Sequence, residues 1–87
     1  MFYEIDQTVV YRQHYNRLTT KFQRFAREAQ EILKESPWEY QGKIVNLTKN
    51  REKDQHFRFR LPGGFFIFYV IAPNSPVVML TGIHRHQ

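Results

Sequence analysis

Residues 55–83 read QHFRFRL-PGG-FFIFYVIA-PNSP-VVMLTGI, three runs rich in aromatic and branched residues that are separated by two short turn sequences. Runs of this kind, bounded by Gly and Pro, are typical of β-strands. Because the links are too short for a crossover, the runs at about 55–61, 65–72 and 77–83 are predicted to be antiparallel neighbours. The middle run is apolar on both faces, so it is predicted to be the central, covered strand.

The N-terminal part of the chain has the pattern of two helices. Apolar residues recur there every three or four positions and form one stripe. Thr19 and Thr20 interrupt the run, which predicts helices at about 9–18 and 20–35 joined by a tight turn. Pro37 ends the second helix, because the residue before a proline is pushed out of the α region.

Two further short strands complete the predicted fold, at about 2–5 and 43–47. The fold class is therefore predicted to be α+β, with an N-terminal helical hairpin packed on a small antiparallel sheet. At 87 residues the chain suits one domain, residues 1–87.

Composition and charge narrow the functional classes. The chain has no cysteine, so disulfides and thiolate metal sites are excluded, and a cytoplasmic location is expected. No stretch approaches the ~20 apolar residues of a membrane span, so no membrane partner is expected. The net charge of +5 favours nucleic acid or acidic protein partners, with solubility alone as the alternative explanation.

The first strand of the predicted meander carries cations on one face. Arg58 and Arg60 are two residues apart, so they share a face, and His56 lies on the same side. The opposite face is predicted to be buried and carries Phe57, Phe59 and Leu61. The forked guanidinium group suits phosphate oxygens. A solvated face over a core is the alternative interpretation of this alternation.

A second basic cluster, His84-Arg85-His86, follows the last strand and is expected to come close to that face. Metal-free RNA cleavage needs a base for the 2′-OH, cations for the phosphate and an acid for the leaving oxygen. The candidate catalytic residues are Arg58, Arg60, His84 and Arg85. The candidate RNA-binding residues are Lys49, Arg51, Lys53, His56 and His86. No metal site and no cofactor are predicted.

Several of these residues have other interpretations. Alternative groups for proton transfer are His56, His86, Glu52 and Asp54. The charged run 49–54 is also typical of a solvated loop, and the His-Arg-His cluster of a frayed end. His14 lies in the helical region, where a surface or interior structural role is expected.

The order of these parts resembles the RelE/ParE toxin superfamily: a short strand, a helical hairpin, a loop, and a three-stranded meander that ends in Gly-Ile-His-Arg. The resemblance covers most of the chain and rests on order and spacing more than on any one motif. The segments that carry it are Phe2–Asp6, Leu33–Pro37, Lys43–Leu47, Phe57–Leu61, Gly64–Tyr69 and Gly82–Arg85.

The resemblance implies a function. RelE-like members cleave messenger RNA on the ribosome and are held inactive by a cognate antitoxin, so the ribosome, mRNA and an antitoxin are the implied partners. Arg58 and Arg60 fall where RelE-like toxins carry basic strand residues, and Arg85 falls on the basic position after the last strand. The implied activity is that of a metal-independent endoribonuclease, or mRNA interferase.

One position departs from the family pattern. The arginine of the family's Gly-Tyr-Arg motif is Phe66 here. This favours two alternatives: a ParE-like toxin that inhibits DNA gyrase without nuclease activity, and a non-toxic nucleic-acid- or protein-binding module on the same scaffold. The predicted strand at 2–5 is also a candidate for strand addition by a partner.

Overall fold

The computed structural model describes residues 2–49 and 51–85. Its elements, in chain order, are β1 (Glu4–Gln7), α1 (Val9–Arg17), α2 (Thr20–Glu35), β2 (Ile44–Asn46), β3 (Gln55–Arg60), a 3-10 turn (Pro62–Gly64), β4 (Phe65–Ile71) and β5 (Val77–Arg85). The predicted helices and strands are all present, each end within two residues of its predicted place. The predicted α+β class with its N-terminal helical hairpin is confirmed.

The five strands form one sheet in the order β1-β5-β4-β3-β2. β3, β4 and β5 form the predicted antiparallel meander with β4 in the centre, and β2 pairs antiparallel with β3. β1 pairs parallel with β5, from Glu4 against Val77 to Gln7 against Leu80, so the sheet is mixed and not wholly antiparallel as predicted. A parallel pair needs a long connection, and the helices and the other strands, which all lie between β1 and β5 in the chain, provide it.

The two helices begin and end where the local sequence favours it. Thr8 caps α1, and its Oγ1 accepts a hydrogen bond of 3.1 Å from the Tyr11 N–H. An extended Thr19 separates α1 from α2, and α2 ends at Glu35, before Pro37. Within residues 2–49 and 51–85, no helix is both long and apolar enough to cross a membrane.

The helices cover one face of the sheet and bury its apolar side chains. The core residues are Tyr11, Ala26, Ala29, Leu33, Phe57, Phe59, Leu61, Ile67, Tyr69, Ile71, Val78, Leu80 and Ile83. Burying one large apolar side chain contributes about 1.5–3 kcal/mol, so these alternate strand positions determine which way the sheet faces. The strand residues between them point the other way, onto the outer face, which we define by Arg58, Phe66, Phe68, Val70 and His84.

Candidate functional site

The outer face brings basic and aromatic side chains together in rows across three strands. The first row is Arg60, Phe66 and His84, and the second is Arg58, Phe68 and Gly82. Because neighbouring strands are about 4.8 Å apart, the backbones of β3 and β5 lie about 10 Å apart with β4 between them. Arginine side chains are long enough to cross part of that gap, and the guanidinium of Arg58 lies over the Phe66 ring of β4.

The predicted alternation of β3 is confirmed. Phe57 and Phe59 are buried in the core, whereas His56 and Arg58 are half-buried and Arg60 is exposed. The two arginines therefore share the outer face with His56, as the spacing of two residues predicts.

Arg58 is held in place by an aromatic ring. Its guanidinium carbon is 4.6 Å from the centre of the Phe66 ring, a cation–π contact that contributes about 0.5–2 kcal/mol. Its Nε atom is buried and has no hydrogen-bond partner within residues 2–49 and 51–85. A buried donor without an acceptor costs about 1–3 kcal/mol. This N–H is closed to solvent, so a ligand oxygen would reach it only after the side chain moved.

His84 lies on the outer face, and Arg85 does not. The His84 ring stacks on Phe68, with ring centroids 4.4 Å apart and planes 13° apart. Arg85 pairs with Phe65, and its guanidinium carbon is 4.9 Å from the centre of that ring. Phe65 in turn contacts Phe22 of α2, with centroids 5.0 Å apart, so Arg85 lies on the helix-covered side of the sheet.

The expected convergence of Arg85 with Arg58 and Arg60 is therefore wrong, and strand geometry is the cause. β5 continues through Arg85, beyond its predicted end at residue 83, and successive side chains of a strand alternate between faces. Ile83 is buried against the helices, so His84 points to the outer face and Arg85 returns to the helix side.

His14 of α1 lies beside the site and has the interior structural role that the sequence suggests, because its ring satisfies a backbone N–H of β5. The Ile83 N–H donates a hydrogen bond of 3.1 Å to Nδ1 of His14. The His14 and His84 rings meet edge to face, with centroids 5.8 Å apart. Burial lowers the pKa of His14 below its usual value, and the nearby His84 and Arg17 lower it further. His14 is therefore neutral at physiological pH.

The position of α1 explains this contact. β1 pairs with β5 as far as Gln7 against Leu80, and α1 then continues along the same edge of β5. A Cβ at Gly82 would lie 3.2 Å from His14 Nδ1, so the glycine leaves the space that the imidazole needs. A glycine inside a strand often marks a place where another group approaches closely, so Gly82 is the feature of the sequence that points to this contact.

The basic loop lies at the other end of the outer face. Its exposed cations are Lys49, Arg51 and Lys53. Glu52 joins the loop to β3, because its Oε2 accepts the Lys49 N–H at 3.3 Å and lies 3.4 Å from Nε2 of His56. His56 is separated from the His84 row by the row of Arg58, so these residues extend the site and do not form its centre. His86 lies outside the described residues.

Comparison with known proteins identifies the fold. No family model and no curated protein matches the chain. A chain of the archaeal RelE–RelB complex from Pyrococcus horikoshii superposes with a TM-score of 0.82 at 17% identity, over 98% of this chain and 96% of that chain. The RelBE2 toxin–antitoxin complex of Mycobacterium tuberculosis gives 0.76 at 17% identity, over 99% and 100%. The intact RelBE complex of E. coli gives 0.70 at 13% identity, over 98% of each chain. This chain has the RelE fold.

The predicted resemblance to the RelE/ParE superfamily is thereby confirmed at the level of the fold. On this RelE fold, the outer face gathers His56, Arg58, Arg60 and His84, and α1 adds His14. Within the described residues, no group of three or more His, Asp or Glu side chains is placed to hold a metal ion. The groups that the site does offer are guanidinium, which binds phosphate oxygens, and imidazole, which takes and gives protons near neutral pH.

The outer face continues beyond the cations into an open cleft. Its volume is about 340 Å³, and its lining is Asp54, Val70, Ala72, Ser75, Val77, Met79 and Thr81. Most of this lining is apolar, so the outer face has a cationic half and an apolar half.

Proposed function

We propose that this protein is the toxin component of a toxin–antitoxin system and that it cleaves messenger RNA on the ribosome, in the cytoplasm. The RelE fold supports the toxin assignment, because the similar structures are RelE–RelB complexes. The observation that carries the cleavage proposal is the placement of Arg58 and His84 on either side of the aromatic rings of β4. Arg58 supplies a cation with a buried donor that has no partner among the described residues, and His84 supplies an imidazole.

The proposed reaction is an internal attack on the RNA backbone. The 2′ oxygen attacks the neighbouring phosphorus, the P–O2′ bond forms and the P–O5′ bond breaks, leaving a 2′,3′-cyclic phosphate and a 5′-hydroxyl. His84 takes the 2′-OH proton and passes it to water, and water protonates the leaving 5′ oxygen. Arg58 and Arg60 bind the phosphate and stabilise the negative charge that grows in the transition state. Arg85, on the helix side of the sheet, takes no part.

We propose that the basic loop binds RNA phosphates some distance from the bond that is cleaved. Lys49, Arg51 and Lys53 are exposed at the end of β3 that carries His56, in line with the arginines. Phosphate contacts of this kind weaken with added salt, because binding releases counterions from the nucleic acid. Removing these three charges is expected to weaken RNA binding and to reduce its salt dependence.

Primer extension on messages from induced cells tests the cleavage proposal. The wild-type protein is expected to arrest growth and to produce cuts inside translated codons, while messages that ribosomes do not translate stay intact. Arg58→Ala is expected to lose the cuts while keeping a folded circular dichroism spectrum. Arg24→Ala is the matched control, because Arg24 is an exposed arginine of α2, and it is expected to cut like the wild type. Cutting by Arg58→Ala at the wild-type level would contradict the proposal.

A cognate antitoxin is the proposed partner that holds the toxin inactive. β1 is an edge strand of the sheet, and edge strands accept an added strand. The cationic half of the outer face suits acidic side chains, and the adjoining cleft of about 340 Å³ suits apolar ones. A protein encoded by an adjacent gene is expected to restore growth on co-expression and to copurify with the toxin.

Two observations favour a second function, inhibition of DNA gyrase without nuclease activity. Phe66 stands where the family pattern has an arginine, and Arg85 lies on the helix side, so the outer face holds fewer cations than the resemblance implies. A supercoiling assay with purified gyrase separates the two functions. Loss of supercoiling without message cutting would select gyrase inhibition, and induction without growth arrest would select a non-toxic binding module.

A further inference from the structure

The two imidazoles of the outer face make complementary hydrogen bonds. Nδ1 of His14 receives the Ile83 N–H at 3.1 Å, so this nitrogen is an acceptor without a proton. Nδ1 of His84 lies 3.3 Å from the Arg85 carbonyl oxygen, and because a carbonyl only accepts, this nitrogen carries the proton. A neutral imidazole has one N–H, so Nε2 is a donor in His14 and a bare acceptor in His84.

The donor nitrogen of His14 lies beside the outer face. Its Nδ1 and Cε1 atoms lie over Gly82, 3.2 and 3.4 Å from where a Cβ would stand, and Nε2 is the ring atom next to Cε1. The centroid of the His84 ring is 5.8 Å from that of His14. The two rings are too close together to hold a phosphate between them, but a phosphodiester group lying beside both, on the outer face, would be within one hydrogen bond of about 2.9 Å of each.

We propose that His14 is a further catalytic residue, a neutral donor whose Nε2–H binds a phosphate oxygen while the bare Nε2 of His84 takes the 2′-OH proton. The inference rests on the proposed ribonuclease function. As the P–O2′ bond forms and the P–O5′ bond breaks, the proton taken by His84 passes to water, and water protonates O5′. His14 keeps its proton throughout and stabilises the charge that develops on the phosphate.

A neutral imidazole at His14 is compatible with His84 acting as a base beside it. The titratable and charged groups that face His14 are His84 on β5 and Arg17 on its own helix, and both oppose a positive charge on its ring. Because Nδ1 of His14 accepts the Ile83 N–H, the ring presents to His84 a neutral donor and not a second cation. His14 also supplies, from α1, a hydrogen-bond donor to the phosphate, which the arginine of the family pattern would supply and Phe66 cannot.

Long-range ¹⁵N–¹H NMR spectra of the purified protein test the two tautomers without reference to activity. We expect neutral His14 to carry its proton on Nε2 and neutral His84 on Nδ1. The reverse arrangement in either ring would overturn the inference, whether or not the protein cuts RNA.

Rates of cutting on ribosome-bound message test the role of the donor. His14→Leu is expected to cut about 100-fold more slowly, the effect of removing one donor to a developing oxyanion. His14→Gln keeps an acceptor for the Ile83 N–H and a donor beyond it, so it is expected to recover most of that loss.

The outcomes separate this inference from the function on which it rests. Equal rates for the wild type and His14→Leu would overturn the role of His14 alone. Absence of cutting by the wild-type protein would overturn the ribonuclease proposal, and the role of His14 with it. Should His14→Leu not fold, Gly82→Ala is the second variant, since it displaces the imidazole without removing it.

Discussion

His84 and Arg85 are adjacent in the chain, yet their side chains lie on opposite faces of β5. The His84 ring stacks on Phe68 at 4.4 Å on the outer face, and the Arg85 guanidinium lies 4.9 Å from the Phe65 ring on the helix side. Of these two basic residues, His84 is therefore the one that the proposed site uses.

Two alanine substitutions at these positions are expected to give opposite results. His84→Ala is expected to slow message cutting about 100-fold or more, since a positioned acid–base group contributes about 10²–10⁴-fold. Arg85→Ala is expected to cut at nearly the wild-type rate, because its contact with Phe65 contributes only about 0.5–1 kcal/mol to folding. Both rates are measured on the same ribosome–message complex. A larger loss from Arg85→Ala than from His84→Ala would contradict this placement of the site.

Much of the fold follows from local pattern. The period of two in β3 was enough to predict that Phe57 faces the core and Arg58 faces outward, and Pro37 was enough to predict the end of α2. These features depend on residues close together in the chain. The parallel pairing of β1 with β5 depends on segments far apart in the chain, and no local pattern indicates it.

A bulge explains why the orientation of Arg85 was not predictable. Leu80 and Ile83 are both buried although they are three residues apart, which strict alternation does not allow. Thr81 is the extra residue, and from there the side chains of β5 change face. Gly82 signals that a neighbour approaches β5 closely, but the sequence does not identify that neighbour as His14, because the contact requires α1 to lie along the edge of β5.

Phe66 is expected to hold the Arg58 guanidinium in its binding position. Phe66→Leu keeps an apolar side chain but removes the aromatic face, so a cation–π contact of about 0.5–2 kcal/mol is lost, which corresponds to about 2- to 30-fold. We expect kcat/KM for message cutting to fall within that range, and the slow residual rate of Arg58→Ala, too low to give cuts in cells, to fall little further on purified ribosome–message complexes. Phe2→Leu is the matched control, because Phe2 is exposed. Equal losses with and without Arg58 would show that the ring acts in another way.

Two buried tyrosines are expected to make stability depend on pH in alkaline solution. Burial raises the pKa of Tyr11 from 10.0 to about 12, and burial also raises the pKa of Tyr69. Both folded-state pKa values lie above those of the unfolded chain, so the unfolded chain loses these protons first as pH rises. The stability is therefore full below pH 10 and falls as pH rises towards 12.

Tyr69→Phe tests the share of this effect that comes from Tyr69. Its hydroxyl donates a hydrogen bond of 2.8 Å to the Pro37 carbonyl oxygen, so its loss is expected to cost about 1 kcal/mol near neutral pH. The fall in stability above pH 10.0 is expected to become shallower, because one of the two buried phenols is gone. Urea unfolding at a series of pH values measures both quantities. An alkaline fall as steep as that of the wild type would show that Tyr69 does not contribute.

Gly82 and His14 are expected to be coupled through the space that the glycine leaves. A Cβ at Gly82 would lie 3.2 Å from Nδ1 of His14, so alanine displaces that ring by a few tenths of an ångström, whereas 3.6 Å from Cδ2 of His84 is an ordinary contact. Gly82 is not among the glycines with positive φ within residues 2–49 and 51–85, so the backbone accepts alanine without strain. Since a misplacement of about 1 Å costs about 100-fold in rate, Gly82→Ala is expected to slow cutting by up to about tenfold.

A double-mutant cycle distinguishes this coupling from a general loss of packing. In a His14→Ala background there is no imidazole for the new methyl group to displace, so Gly82→Ala is expected to have little further effect on the rate. Hydrogen exchange of the Ile83 amide, which His14 protects by accepting its hydrogen bond, is expected to speed up in each single variant. Because a packing defect would act alike in both backgrounds, two fully additive losses in rate would contradict the coupling, and with it the place of His14 in the site.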